Sequence, residues 1–297
     1  MNHSRRNFLS ASLGVSASTV LPLLAQEDAP EKRFHIGIQE YTFHSWLASG
    51  KLDHLDYPKL VRDKLGLQHI EYWNRPFEGK HTDKNYVGEL VKRTVNEGME
   101  NVLILVDIRK QLDAKKVKDR DLSVDEHKGW IDCAHQLGCK AIRVNCHSGG
   151  DPDDNLEQMA DGVGRLCDYA KDSKVKVVIE PHGANSQDPD WLLKAIKMLD
   201  RENAGLLPDF NNFGSFDRYE AVKNTLPHAV AVCAKAKGFD ELGNENSTDY
   251  HRMLKIVHES SFKGVITIEF EGRNVDPIEG ALKTKELILR SLEKASE

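Results

Sequence analysis

The sequence has 297 residues, of which 30% are charged, and a formal net charge of −6 at pH 7. A net acidic chain without a basic run lacks the electrostatic footprint of a nucleic-acid-binding protein, so we expect no nucleic-acid partner. Five cysteines in a chain of this length do not form a disulfide framework. We expect thiols, with a single bridge as the alternative in an oxidising compartment.

The first residues predict export. The arginine pair Arg5 and Arg6 precedes an apolar run, rich in serine and alanine, that ends near Ala25. The run is too short and too interrupted for a membrane span, so residues 1–26 are predicted to be a twin-arginine-type signal peptide, with a disordered basic tail as the alternative. The mature protein is then expected in the periplasm. This route carries folded proteins, which favours a chain with a metal or cofactor.

Eight short apolar runs follow, and each has the β-branched composition of a buried parallel strand. In chain order they are FHIGIQEY, LQHIEYW, NVLILVD, KAIRVNC, KVVIEPHG, AGLLPDF, AVAVCAKAK and GVITIEFEG. Amphipathic helical segments lie between them, and several are followed by a glycine where a helix C-cap belongs (Gly66, Gly98, Gly138 and Gly264). This alternation predicts one α/β domain over residues 34–297, a (β/α)8 TIM barrel. A doubly wound open sheet is the alternative, but no Gly-x-Gly-x-x-Gly turn follows any strand.

Polar residues gather at the carboxyl end of every predicted strand, which is where TIM barrels build their active sites. Because side chains alternate along a strand, the last inward-facing residues can be read from each run. They are Gln39, Tyr41, Glu71, Trp73, Asp107, Arg143, Asn145, Glu180, His182, Asp209, Lys235, Lys237, Glu269 and Glu271. Burying so many charges together is costly unless they pair or bind a metal. The sequence therefore predicts a polar site at this mouth of the barrel.

Three of these carboxylates, Glu180, Asp209 and Glu269, are candidate metal ligands. They end the fifth, sixth and eighth predicted strands, from which side chains can converge on one cation, and an oxygen-rich set favours Mg²⁺ or Mn²⁺ over structural Zn²⁺. The alternative is a network of acid–lysine salt bridges that closes the barrel top. His182 shares the inward face with Glu180, which predicts contact with substrate or with a metal ligand rather than a place in the core.

The motifs VVIEPHG, LLPDFNNFG, KAKGFD and ITIEFEG resemble the sugar phosphate isomerase/epimerase family, the xylose-isomerase-like TIM barrels. The resemblance covers nearly the whole chain after residue 33. It implies a sugar isomerase or epimerase, a divalent metal held by Glu180, Asp209 and Glu269, and the two glutamates as the proton-transfer pair. The family's remaining metal ligand is a histidine on the seventh strand, and this chain has Lys235 there. A protonated lysine has no lone pair to offer a metal.

The lysine leaves two interpretations open. A metal is bound by the three carboxylates and water, with His182 or a displaced ligand in addition. Alternatively no metal is bound, and Lys235 supplies the positive charge as an electrophile for an enolate or as a Schiff-base amine. Lys237, one strand period further on, is expected near the rim in contact with substrate oxygens.

The hard step shared by such enzymes is removal of a proton α to a carbonyl, which needs a base on the proton and a cation or donor on the oxygen. Glu180 and Glu269 across a metal or an ammonium group meet both needs. Expulsion of a leaving group from the same enediolate would instead make the protein a lyase or dehydratase on a 3-keto-glycoside or inosose. Export favours free or oxidised sugars over sugar phosphates. The non-enzymatic alternatives are an inactive sugar-binding barrel and a scaffold subunit of an oxidoreductase.

The remaining inward residues are candidates for binding the carbohydrate. Trp73 and Tyr41 can stack on a sugar ring, or simply pack. Arg143 can hold an anionic group, or pair with Glu71 or Glu180 instead. The predicted substrate-binding set is His182, Lys237, Arg143, Asn145, Glu71 and Trp73. The sequence gives no indication of the oligomeric state.

Overall fold

Eight parallel strands alternate with helices through the residues that the computed structural model describes, 33–273 and 275–297. The predicted signal peptide lies outside these residues. The strands are β1 Phe34–Gln39, β2 His69–Trp73, β3 Glu100–Leu105, β4 Ala141–Val144, β5 Lys176–Ile179, β6 Ala204–Leu206, β7 Ala231–Ala236 and β8 Gly264–Phe270. The helices are α1 His44–Ala48, α2 Tyr57–Leu65, α3 Lys84–Asn96, α4 Val117–Leu137, α5 Pro152–Ala170, α6 Pro189–Leu199, α7 Arg218–Thr225, α8 Tyr250–Glu259 and α9 Pro277–Ser296.

The sheet closes on itself. Its strands pair in parallel in the order β6-β5-β4-β3-β2-β1-β8-β7. Backbone hydrogen bonds join β7 to the end of β6: the N–H of Val230 donates to the carbonyl of Leu206 at 3.0 Å, and the N–H of Cys233 to that of Pro208 at 2.8 Å. The predicted TIM barrel is confirmed, and the doubly wound alternative is excluded because an open sheet leaves its two edge strands unpaired.

Two groups of apolar side chains fill the domain. The larger group packs the outer faces of the strands against the helices. The smaller group, apart from Val102, shares the alternation of the predicted inward residues and so fills the barrel interior, with Leu105, Ala141, Val178, Leu207, Ala231 and Val265 among its members. For five of these six residues the next inward position toward the carboxyl end, two residues on, is polar. A layer of apolar side chains therefore lies directly below the predicted polar site in the barrel interior.

Two of the four glycines predicted as helix C-caps hold that position. Gly66 and Gly138 are left-handed C-caps, with φ of 59° and 75°, whereas Gly98, with φ of 61°, lies one residue beyond the C-cap of α3. Gly264 instead begins β8, five residues after α8 ends at Glu259, so its prediction as a C-cap was wrong. All five cysteines are buried and free, as thiols. None of the helices in the described ranges is both long and apolar enough to cross a membrane.

Gly162 marks a close approach between α5 and the loop after β3. A Cβ atom added to Gly162 would meet the carbonyl oxygen of Leu112 at 1.9 Å, whereas one on Gly164 in the same helix would meet nothing nearer than 3.9 Å. We expect Gly162→Ala to lower the free energy of unfolding by about 1–3 kcal/mol, because the loop must move. Gly164→Ala should leave it unchanged or raise it by up to about 1 kcal/mol. Urea unfolding measures both, and equal effects would contradict the packing described.

Candidate active site

Three carboxylates meet at the carboxyl end of the barrel. Glu180 directly follows β5, Asp209 lies three residues beyond β6, and Glu269 lies near the end of β8. One oxygen from each, together with Sγ of Cys233 on β7, lies within 4.8 Å of the others, and all four residues are buried. We call Glu180, Asp209 and Glu269 the carboxylate cluster. Alternation along each strand points these side chains inward, and closure of the barrel brings them together although they are far apart in the sequence.

Lys235 is a cation within this cluster. Its Nζ lies 3.3 Å from Asp209 Oδ2, 3.2 Å from Glu269 Oε2 and 3.3 Å from Glu271 Oε1, and the residue is 2% exposed. Burial alone would lower the pKa of Lys235, but Asp209 and Glu269 outweigh it and hold the pKa well above its usual range. The ammonium group is therefore charged and neutralises part of the cluster.

The carboxylate cluster titrates near neutral pH. Burial is the largest cause, and it raises the pKa of Glu180 and Glu269 to about 7 and that of Asp209 to about 6, against the opposing effect of Lys235. Like charges held this close also repel one another. The cluster therefore retains a proton near pH 7 or requires further positive charge. Carboxyl groups in this state can both accept and return a proton.

Arg143 supplies a second buried cation beside the cluster. Its Nε lies 2.8 Å from Glu180 Oε2, and its Nη1 donates to Asp107 Oδ1 at 2.6 Å and to Asn145 Oδ1 at 2.9 Å. Asn145 and the indole N–H of Trp73 each donate to Asp107 at 2.8 Å. Burial would raise the pKa of Asp107, but Arg143 outweighs it and holds the pKa below its usual range. These polar groups are thus held in one fixed network.

A cavity of about 410 Å³ opens at this end of the barrel, and we call it the mouth cavity. Asp107, Asn145, His147 and His182 line it together with Arg75 and Arg109. His182 Nδ1 lies 3.0 Å from His147 Nε2, and the two rings stack at 5.0 Å. Burial, with Arg143 and Lys235 nearby, lowers the pKa of His182, so the imidazole is neutral. The mouth cavity therefore offers a polar path to the buried network.

Sequence comparison assigns the family. The xylose isomerase-like TIM barrel family matches residues 60–292, most of the chain. The chain belongs to this family. No curated protein matches its sequence.

Solved structures share the xylose isomerase-like barrel over most of their length. The IOLI protein with a bound zinc atom has a TM-score of 0.71 at 14% identity, covering 88% of this chain and 99% of that one. L-ribulose 3-epimerase has a TM-score of 0.70 at 15% identity, covering 88% and 95%. The 3-keto-D-glucoside 4-epimerase from E. coli has a TM-score of 0.67 at 12% identity, covering 88% and 100%. Identities this low show the common fold alone.

The carboxylate cluster of this xylose isomerase-like barrel fits a divalent metal. Ligands on opposite sides of a metal at roughly 2.0–2.3 Å are about 4–4.6 Å apart, so a small contraction of the donor atoms is enough. Glu180 Oε2 and Asp209 Oδ2 face Arg143 and Lys235 but accept no hydrogen bond of normal geometry. The carboxylates favour Mg²⁺ or Mn²⁺, and the thiol of Cys233 favours Zn²⁺. The donor set therefore suits a metal without selecting one.

The structure separates the predicted substrate-binding residues by depth. Glu71 is 0% exposed, neither carboxyl oxygen has a hydrogen-bond partner among the described residues, and burial raises its pKa to about 8. Its predicted contact with substrate stays a prediction. Arg143 and Asn145 are 4% and 6% exposed and are engaged with Asp107. Lys237, with a 54% exposed side chain 4.0 Å from Glu271, lies at the rim.

Three neighbours of the site were not selected from the sequence. Cys233 lies on β7 two residues before Lys235, and its Sγ lies 3.0 Å from Glu269 Oε2. Asn212 donates to Glu180 Oε1 at 3.4 Å and accepts from Lys235 at 3.3 Å. Its position in LLPDFNNFG, three residues after Asp209, is the only signal. His147 lies in a loop, where strand alternation does not apply.

Arg143→Met tests the energetics of the buried network. We expect the free energy of unfolding at pH 7 to fall by about 3–5 kcal/mol, because Asp107 and Glu180 lose a buried partner. Pairing lowers the folded-state pKa of Asp107, so this stabilisation is fully present above the ordinary pKa of about 4. It is lost progressively as the pH falls below that value toward the depressed folded-state pKa. The difference in the free energy of unfolding between the variant and the wild type should therefore become smaller at acid pH.

Arg109→Met is the matched control, because Arg109 is exposed and forms no ion pair among the described residues. Its effect should stay within about 0.5 kcal/mol. Denaturant unfolding between pH 3 and pH 8 measures both variants. If the free energy of unfolding of Arg143→Met were lower than that of the wild type by the same amount at every pH, packing of the arginine side chain, rather than ion pairing, would be what stabilises the network.

Proposed function

We propose that this protein is a sugar isomerase or epimerase that acts on a keto sugar by removing a proton α to its carbonyl. The observation that carries the proposal is the pair Glu180 and Glu269, buried together beside Lys235 with pKa values of about 7. Family membership supports it, as do two structural neighbours that are epimerases of sugars.

The chain's own residues supply the proton transfer. One glutamate of the pair is ionised and takes the proton α to the carbonyl, and the other is protonated and returns a proton to the intermediate. Return on the opposite face of the same carbon gives epimerisation. Return to the neighbouring carbon, with the hydroxyl proton passing to the former carbonyl oxygen, gives isomerisation. Asn212 forms hydrogen bonds with both Glu180 and Lys235 and so fixes the position of the base relative to the cation. Burial of the cluster excludes water from the reacting carbon.

The negative charge that develops on the carbonyl oxygen needs a positive partner. Lys235 and Arg143 are the buried cations beside the cluster. A divalent ion held by Glu180, Asp209, Glu269 and Cys233 would supply Lewis-acid polarisation of the same oxygen. Electrostatic stabilisation of this kind is often the largest single contribution to catalysis.

Solvent isotope exchange tests the proposal. The purified protein is incubated in D₂O with a panel of ketoses, inososes and 3-keto-glycosides, and deuterium at the carbon next to the carbonyl is followed by NMR. We expect exchange on at least one sugar, with product analysis separating an isomerase or epimerase from a lyase or dehydratase on a 3-keto-glycoside or inosose. Saturable binding without exchange would instead identify an inactive sugar-binding barrel.

We also propose that the chain is exported to the periplasm and that residues 1–26 are removed. The arginine pair and the apolar run that follows it support this proposal. Mass spectrometry of the periplasmic protein should give a chain that begins after residue 26, near Glu27. Recovery of the intact N-terminus from the periplasm, or of all the protein from the cytoplasm, would contradict it.

A further inference from the structure

A second cavity adjoins the mouth cavity. It has a volume of about 460 Å³ and lies among the segments that follow β1 and β2. Arg75 lines both cavities, and Trp73, which lines the second, donates its indole N–H to Asp107 in the mouth. We call this second space the accessory cavity. The two spaces are therefore neighbouring compartments at the same end of the barrel.

The lining of the accessory cavity combines apolar faces with polar groups. Leu47, Leu52 and Pro76 contribute aliphatic surface, and Trp73 and Tyr86 contribute aromatic rings. The charged groups balance in sign: Asp53 and Glu78 against Arg75 and Lys80. The volume lies within the roughly 300–1,000 Å³ typical of small-molecule sites. A sugar ring presents apolar C–H faces and a rim of neutral hydroxyls, which match this lining better than an anion or a purely apolar ligand.

Two buried titratable residues fix the aromatic walls. His54 is 6% exposed, lines the cavity, and has its Nδ1 2.8 Å from the Tyr86 hydroxyl. Its Nε2 lies 3.4 Å from Oε1 of Glu40, which is fully buried. The other oxygen of Glu40 accepts the backbone N–H of Trp73 at 2.9 Å. His54 thus orients Tyr86, and Glu40 holds the backbone of Trp73. We call these two residues the Glu40–His54 pair.

Both members of this pair are neutral. Burial lowers the pKa of His54 to about 3 and raises that of Glu40 well above its usual range. The proton transfer proposed for the carboxylate cluster uses neither residue. Walls fixed by buried polar groups lose little conformational freedom when a ligand binds, which is how a preorganised pocket gains affinity.

We propose that the accessory cavity binds a second sugar ring, so that the substrate is a glycoside whose reacting ring reaches the carboxylate cluster while the attached ring occupies the accessory cavity. This inference rests on the proposed function, because it assigns the reacting ring to that site. Trp73 contacts both compartments and lies where the two rings are joined. The charges that line the accessory cavity balance, and the two cavities share part of their lining. A neutral disaccharide is therefore the simplest ligand that fills both cavities.

Ala48→Trp tests the inference. Ala48 lies on α1, is exposed and lines the accessory cavity, so a tryptophan there fills the cavity without touching the cluster. Ser45→Trp places the same side chain on the same helix at an exposed position outside the cavity lining and is the control. Deuterium exchange is measured on 3-keto-D-glucose and on 3-keto-cellobiose, with the keto group on the non-reducing ring.

We expect the wild-type kcat/KM to be at least about tenfold higher for 3-keto-cellobiose than for 3-keto-D-glucose. Ala48→Trp should remove this advantage and leave kcat/KM for the monosaccharide within about twofold, and Ser45→Trp should change neither. Equal kcat/KM for both probes in the wild type, or an advantage that survives Ala48→Trp, overturns the inference and leaves the proposed function intact.

Absence of exchange on both probes counts against the proposed function for these sugars, and binding then decides the inference. Cellobiose binding is followed by the tryptophan fluorescence of the wild type, Ala48→Trp and Ser45→Trp. Binding by the wild type and Ser45→Trp that is lost in Ala48→Trp supports a sugar subsite. No binding by the wild type, or equal binding by all three, overturns it.

Discussion

Glu269→Gln is expected to lower the rate of deuterium exchange into a keto sugar by about 10²–10⁴-fold, the contribution typical of a positioned acid–base group. Glutamine keeps the size of the side chain but can neither accept nor return the proton. Its amide can still occupy the position near Lys235 and Cys233, so the fold should persist. The measurement is the initial exchange rate by NMR in D₂O, together with thermal unfolding to confirm that the variant is folded.

Glu241→Gln is the matched control, because Glu241 is exposed and outside the cluster, and it should retain the wild-type rate. The pH profile gives a second readout. Wild type needs one glutamate ionised and the other protonated, so its rate should fall on both sides of neutral pH, with apparent pKa values that belong to the pair. A Glu269→Gln variant with the wild-type rate and both limbs of the profile would remove Glu269 from the mechanism.

The barrel was predictable because its signals are local and repeated. Each strand is a short apolar run, and each carries a polar residue at its carboxyl end. Alternation along the strands then selected the face of each side chain, and it placed Glu180, Asp209, Lys235 and Glu269 on the inside, where the structure has them. Their catalytic and metal-binding roles stay predictions.

Depth and pairing were not predictable in the same way. Alternation gives the face of a strand but not the height along the barrel, so the sequence could not show that Glu71 is fully buried. The joint pairing of Arg143 with Asp107 and Glu180 depends on strand stagger, which a single strand does not encode. Asn212, His147 and the walls of the accessory cavity lie in loops and helices whose positions follow from tertiary packing.

Lys235→His is expected to raise the affinity for Mn²⁺ or Zn²⁺ by at least about tenfold, or about 1.4 kcal/mol. The substitution removes an ammonium group that lies 3.2–3.3 Å from two of the three candidate metal ligands and introduces a neutral nitrogen donor. Two unit charges 4 Å apart interact by about 1 kcal/mol in water and by about 4 kcal/mol at an effective dielectric of 20. Removing the repulsion between the ammonium group and the metal ion is therefore enough to raise the affinity about tenfold. Metal binding is measured by titration of the apo protein and by elemental analysis of the purified chain.

Lys237→His is the first control, because Lys237 is at the rim and its replacement should leave metal affinity unchanged. Lys235→Met is the second, and it separates the two effects of the histidine. If relief of repulsion is sufficient, Met and His variants bind the metal equally well; if the imidazole is also a ligand, the His variant binds more tightly. Lys235 also supplies positive charge beside the reacting carbonyl, so both variants should exchange deuterium more slowly than wild type when no metal is added. A wild type that already binds about one ion per chain, with unchanged affinity and exchange rate in all three variants, would show that Lys235 only closes a salt bridge within the barrel.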